Sequence, residues 1–104
     1  MKIEPNDPNQ PTYKQEFKDS VELFDKSFQG ANASDFDPQK RQYYKAMEGA
    51  LNVMQDSANG MAKQHLVELK QKLAKDTHDY IKHPTQENQR AIEDDLHELR
   101  KEAD

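Results

Sequence analysis

The stretch that decides the fold runs from residue 37 to residue 84 and reads DPQKRQYYKAMEGALNVMQDSANGMAKQHLVELKQKLAKDTHDYIKHP. Within it, apolar residues and one threonine recur at intervals of three or four positions: Tyr44, Met47, Leu51, Met54, Ala58, Ala62, Leu66, Leu69, Leu73, Thr77 and Tyr80. The ten intervals cover 36 positions, so the mean spacing is 3.6 residues, the period of a straight amphipathic helix. The pattern therefore predicts helix along the stretch.

Both ends of this predicted helix have typical boundary residues. Asp37 is a suitable N-cap, and Pro38 suits the first helical position. Lys82 and His83 place positive charge where the helix dipole favours it, and Pro84 ends the helix.

The pair Asn59-Gly60 in the middle of the stretch allows two interpretations, because such a pair is a typical turn signal. In the first, a long central helix spans 38-82 for about 68 Å, and shorter helices at 13–29 and 86–103 fold back onto it. In the second, the chain breaks at the pair into a four-helix up-down bundle. We favour the first because the apolar stripe keeps its phase across the pair. Both interpretations predict an all-α fold, an antiparallel helical bundle.

The two flanking segments each show an apolar stripe at helical spacing. Between 13 and 29 the stripe consists of Tyr13, Phe17, Val21, Phe24 and Phe28, and between 86 and 103 of Ile92, Leu96, Leu99 and Ala103. Gly30 follows the first segment and predicts a helix stop there. These stripes are expected to pack in the core.

The domain organisation follows from the prolines. Pro5, Pro8 and Pro11 predict that residues 1–11 form a flexible N-terminal tail, which leaves 12–104 as a single helical-bundle domain. Leu, Ile, Val and Phe together account for only 17 of the 104 residues. The core is therefore expected to be small, and association with a partner or a second copy would stabilise it.

Composition argues against several functional classes. The formal net charge is -5, whereas a nucleic-acid binder usually has a basic face. No run of residues has the length and hydrophobicity of a membrane span or a signal peptide, and there is no cysteine. We therefore expect a cytoplasmic protein without nucleic-acid or membrane partners, and the sequence shows no evident small-molecule substrate.

The histidines and carboxylates give only a weak metal signal. Glu93 and Asp94 precede His97 at helical spacing, but a di-iron bundle needs Glu-x-x-His twice, and this chain lacks that motif. We therefore predict no catalytic residue, no cofactor and no metal ligand. A metal-binding or enzymatic helical bundle using His97 with Glu93 or Asp94 is the alternative.

When successive residues are placed 100° apart around the helix axis, a second set of residues falls on the side opposite the apolar stripe. It consists of Ala46, Gly49, Val53, Gly60 and Val67. Small residues let another backbone approach closely, so we predict that these five form a partner-binding face. The leading functional hypothesis is a non-enzymatic protein–protein interaction module, a small adaptor, chaperone or inhibitor. It would act through helix packing, with a protein partner or by self-association as a dimer.

Overall fold

The structure, a computed structural model, describes residues 12–103, and these fold into four helices. They are α1 (Tyr13–Ala33), α2 (Asp37–Met61), α3 (Gln64–Lys82) and α4 (Gln86–Ala103). Connections of two or three residues make successive helices antiparallel, and α4 also packs against α1, which closes an up-down bundle. The predicted all-α antiparallel bundle is confirmed. The predicted tail at 1–11 lies outside the described residues.

The prediction of a long central helix over 38-82 is wrong, because α2 ends at Met61 and a new helix begins at Gln64. The residue between them that reverses the chain is Ala62, whose φ of 56° and ψ of 35° lie in the left-handed region. The four-helix alternative is correct for the described residues. However, its break lies after Met61 and not at the turn signal, since Asn59 and Gly60 are both helical.

Backbone hydrogen bonds explain why the chain turns at this point. The N–H of Ala62 donates to the carbonyl of Asn59 at 3.0 Å, and the N–H of Lys63 donates to that of Ala58 at 3.2 Å. This pair of bonds is the Schellman arrangement, which satisfies carbonyl groups at a helix end and normally has glycine in the left-handed position. Here alanine occupies that position.

The core lies between the four helices and includes residues from each. Its fully buried large side chains include Phe17, Phe24, Phe28, Met47, Met54, Leu73, Tyr80, Ile92 and Leu99. Tyr80 of α3 connects three helices, because its ring packs edge-on against Phe28 of α1 and Tyr44 of α2. The distances between ring centroids are 5.3 Å and 6.1 Å, respectively. The Tyr80 hydroxyl donates a hydrogen bond to the side chain of Asn32. Burial raises the pKa of Tyr80 to about 12, so the phenol stays neutral.

Helices α1 and α2 make the most extensive helix–helix contact of the bundle. Small buried residues allow this approach: Ser20, Ser27 and Ala31 on α1, and Ala50 and Ser57 on α2. At one end the ring of Tyr13 lies over Gly60, so close that an added Cβ would be 2.7 Å from the ring. At the other end the ring of Tyr43 lies over Gly30, where the corresponding distance is 2.5 Å.

Gly30 is therefore not the helix stop that the sequence indicates. Helix α1 continues through it to Ala33, and the glycine serves close packing inside the helix.

Replacing Ala62 by glycine tests the turn. The left-handed conformation costs an L-residue roughly 1–2 kcal/mol, and glycine avoids that cost at some expense in unfolded-state entropy. We expect Ala62→Gly to raise the free energy of unfolding by about 1 kcal/mol in chemical denaturation. Ala91→Gly, inside α4, is the control and should lower it by about the same amount. A loss of stability in Ala62→Gly would instead indicate a continuous helix.

Gly49 and Gly30 should respond in opposite ways to replacement by alanine. Gly49 has no described heavy atom within 4 Å of its Cβ position outside its own helix, so Gly49→Ala should raise the free energy of unfolding by about 1 kcal/mol. Gly30→Ala should lower it, because the new methyl group collides with the Tyr43 ring. In a double-mutant cycle, Tyr43→Ala should remove most of the Gly30→Ala penalty. A stabilising Gly30→Ala would show that the ring does not constrain the packing.

Candidate interaction surface

The tyrosine–glycine contacts fix how α1 and α2 are aligned. The pairs Tyr13–Gly60 and Tyr43–Gly30 belong to one antiparallel register, which brings position 23 of α1 opposite position 50 of α2. Because side chains on one helix face recur every three or four residues, this register also determines which residues share a surface.

One side of the α1–α2 hairpin faces away from α3 and α4. The other side is occupied: Tyr44 contacts Tyr80 of α3, and Glu22 binds Arg100 of α4. The helical phases of Leu23 and Val53 place both residues on the outer side, where their exposed fractions are 49% and 43%. We refer to the surface formed by Leu23, Ala46, Gly49 and Val53 as the hairpin face.

The structure separates the five residues that the sequence predicts as a partner-binding face. Gly49 and Val53 are exposed and Ala46 is half-buried, all on the outer side of α2. Gly60 lies at the end of that side and remains exposed, but the Tyr13 ring occupies the space in which a side chain at this position would lie. Val67 lies on α3 and is buried in the core. The five do not form one surface, although a partner-binding role for the α2 residues stays a prediction.

Leu23 is the residue of the hairpin face that sequence reasoning missed. Its position beside the α1 aromatic stripe suggests a wider core face, yet half of its surface is exposed. The register between the two helices is what brings it next to the α2 residues.

A different kind of interface joins α3 to α4. Three polar contacts cross it at seven-residue intervals on both helices: His65 Nε2 to Glu102 Oε2 at 3.7 Å, Lys72 Nζ to Asp95 Oδ1 at 3.1 Å, and Asn88 Nδ2 to the carbonyl oxygen of Asp79 at 3.3 Å. We call these contacts the polar ladder. The two outer contacts are exposed, whereas the middle one includes a buried carboxyl group.

Asp95 is that buried carboxyl group, and 2% of its side chain is exposed. Burial and the neighbouring carboxyl group of Asp76 raise the pKa of Asp95 to about 7, although the ammonium group of Lys72 opposes the shift. The folded chain therefore favours the protonated form of Asp95 at pH values at which a solvated carboxyl group is ionised.

The seam between α1 and α4 is closed by one arginine. Arg100 Nε binds Glu22 Oε2 at 2.9 Å, and Arg100 Nη2 binds Asp25 Oδ2 at 2.6 Å. These two carboxylates raise the pKa of Arg100 above its ordinary value. A surface groove beside this cluster has a volume of about 310 Å³ and is lined mainly by α1 residues and by Ala103. The guanidinium charge of Arg100 is therefore paired with carboxylates of the same chain.

The residues of the metal-binding alternative lie on the surface. Glu93, Asp94 and His97 are all exposed on α4. Among residues 12–103, no group of three or more histidine, cysteine or carboxylate side chains is arranged to hold a metal ion. The described part of the chain therefore contains no formed metal site for the metal-binding alternative.

Comparisons with known proteins returned nothing: no protein family, no curated protein and no solved structure matches this chain. None of the helices within residues 12–103 combines the length and the hydrophobicity that a membrane crossing requires.

Asp95 should make stability depend on pH. Its pKa is about 7 in the folded chain and near 3.8 when unfolded, so its stabilising contribution is complete below pH 4 and is lost as pH rises through 7. We expect Asp95→Asn, which mimics the protonated acid, to exceed the wild type in free energy of unfolding by a margin that grows by roughly 2–3 kcal/mol between pH 5 and pH 8, because the unfolded carboxyl group is already ionised over that range.

Denaturant titrations at the two pH values measure this difference. The exposed neighbour provides the control, since Asp94→Asn should change stability little at either pH. An Asp95→Asn chain that is less stable than the wild type at pH 8 would mean that the carboxylate is stabilised by Lys72 in the folded chain.

Proposed function

We propose that this chain is a non-enzymatic protein–protein interaction module, a small adaptor, chaperone or inhibitor that binds through helix packing at the hairpin face. As part of the same proposal, the protein acts in the cytoplasm. The observation that supports it best is Gly49, which lies exposed in the middle of α2, with no atom of residues 12–103 outside its own helix within 4 Å of its Cβ position.

A glycine in this position is unfavourable for the isolated chain. Inside a helix it costs about 1 kcal/mol relative to alanine. Gly30 and Gly60 have a reason within the chain, because each accepts a tyrosine ring from the neighbouring helix. In the part of the chain that the structure describes, Gly49 has no such contact. A side chain or backbone from a partner, packed against Gly49 as the tyrosines pack against the other two, would explain why the position is open.

The neighbours of Gly49 fit this use. Val53 lies one helical turn further along α2, and Leu23 lies on the same side of the hairpin on α1. Exposed aliphatic side chains beside a glycine provide both apolar contact and close approach, which an amphipathic helix needs when it binds in a groove between two helices. The partner class that this surface fits is therefore a helical segment with an apolar stripe.

The test compares face variants with a matched control in affinity capture from extracts of the source organism, followed by binding measurements with each purified candidate. We expect Val53→Lys to reduce partner affinity tenfold or more and to leave helicity unchanged. Gln71→Lys adds the same charge at an exposed position of α3 and should bind normally.

Gly49→Ala separates stability from binding in the same assay. It should stabilise the free chain and weaken the complex, because the added methyl group occupies the space that the partner needs. The proposal fails if every partner of the wild type binds Val53→Lys and Gly49→Ala with unchanged affinity.

A further inference from the structure

Charged residues at the two ends of the hairpin face have opposite signs. Towards the N-terminus of α1 lie Glu16, Asp19 and Asp56, and towards the C-terminus of α1 lie Lys26 and Lys45. Asp19 lies at the edge of the face, where it also lines the groove beside Arg100, and it accepts a hydrogen bond from the side-chain amide of Gln15. Within residues 12–103, none of the five forms an ion pair.

The register of the hairpin gives these charges a regular order. Asp56 lies level with position 17 of α1 and Lys45 level with position 28. Leu23 and Val53, which lies level with position 20, are midway between the acidic and the basic group. Along the hairpin, the sequence of features is therefore acidic, apolar and basic, with the apolar pair at the centre.

We propose that the occupant of the hairpin face is a second copy of this chain, related to the first by a two-fold axis that passes between Leu23 and Val53. This inference rests on the proposed interaction function and names the partner.

A two-fold rotation about that axis exchanges the ends of the hairpin. The acidic group of each copy then faces the basic pair of the other, and Leu23 and Val53 meet their own symmetry mates at the centre. Such an isologous contact uses one self-complementary surface twice, as most homodimers do. A parallel arrangement of the two hairpins would instead bring like charges together.

The size of the surface is sufficient for a dimer. With 25 residues, α2 is about 37 Å long. Two helices side by side are about 20 Å wide. The whole outer side of the hairpin, with its charged ends included, thus offers roughly 700 Å² on each copy, close to the roughly 800 Å² that a standard interface buries per partner. Gly49 and Ala46 permit the close approach that such an interface requires.

Charge reversal with complementation tests the arrangement. The acid-reversed variant contains Asp19→Lys and Asp56→Lys, and the base-reversed variant contains Lys26→Glu and Lys45→Glu. Sedimentation is measured on the full chain at about 100 µM protein, which detects micromolar dimers, and at ionic strength near 0.05 M, where charge effects are weakly screened.

We expect the wild type to sediment as a dimer and each variant alone to dissociate with a Kd about tenfold or more higher, because attraction becomes repulsion at both ends. An equimolar mixture of the two variants should form a heterodimer, since every opposed pair is again of opposite sign. Glu87→Lys with Glu98→Lys, both exposed on α4, is the matched control and should remain dimeric.

Three results would overturn this inference: a wild type that stays monomeric, variants that dimerise unchanged, or a mixture that fails to associate. Should a double variant lose helicity, Asp56→Lys and Lys45→Glu alone provide the same complementation test. A monomeric wild type whose Val53→Lys variant loses a different protein would refute the second copy and leave the proposed function intact.

Discussion

The close approach of α1 and α2 is the contact on which the rest of the bundle depends. Two tyrosine rings on two glycines, one pair at each end of the hairpin, set a single register. In that register Phe17, Phe24, Met47 and Met54 all point into the core. The same register determines the outer side of the hairpin, so one constraint specifies both the packing and the candidate surface.

The sequence predicts the fold class well and the break in α2 poorly, for a physical reason. Apolar spacing reports which residues are buried, and in this chain the stripe keeps its phase across the two-residue turn by coincidence, so the spacing does not reveal the break. Glycine is ambiguous, because it permits either a left-handed turn or a close contact inside a helix. Gly30 and Gly60 resemble turn signals but serve close contacts, whereas Ala62, which resembles a helix residue, makes the turn.

The candidate surface was predictable only in part for the same reason. The phases of Ala46, Gly49 and Val53 follow from one helix, so the sequence places them correctly. Val67 lies beyond the break and is buried, and Leu23 joins the surface only through the register between two helices. Asp95 could have been found, because it follows Ile92 by three positions and falls on the edge of the apolar stripe. Its burial depends on α3 lying alongside.

The two halves of the bundle differ in the contacts that supplement the common core. Helices α1 and α2 meet through small residues and aromatic rings, whereas α3 and α4 bury aliphatic side chains such as Leu73 and Leu99 and are joined in addition by the polar ladder, whose exposed contacts contribute little stability. Tyr80 connects α3 to both helices of the hairpin, so α3 is stabilised by whatever stabilises the hairpin. A partner that binds only the folded chain adds stability by mass action. Binding on the outer side of α1 and α2 would therefore reinforce the whole bundle without contacting α3 or α4.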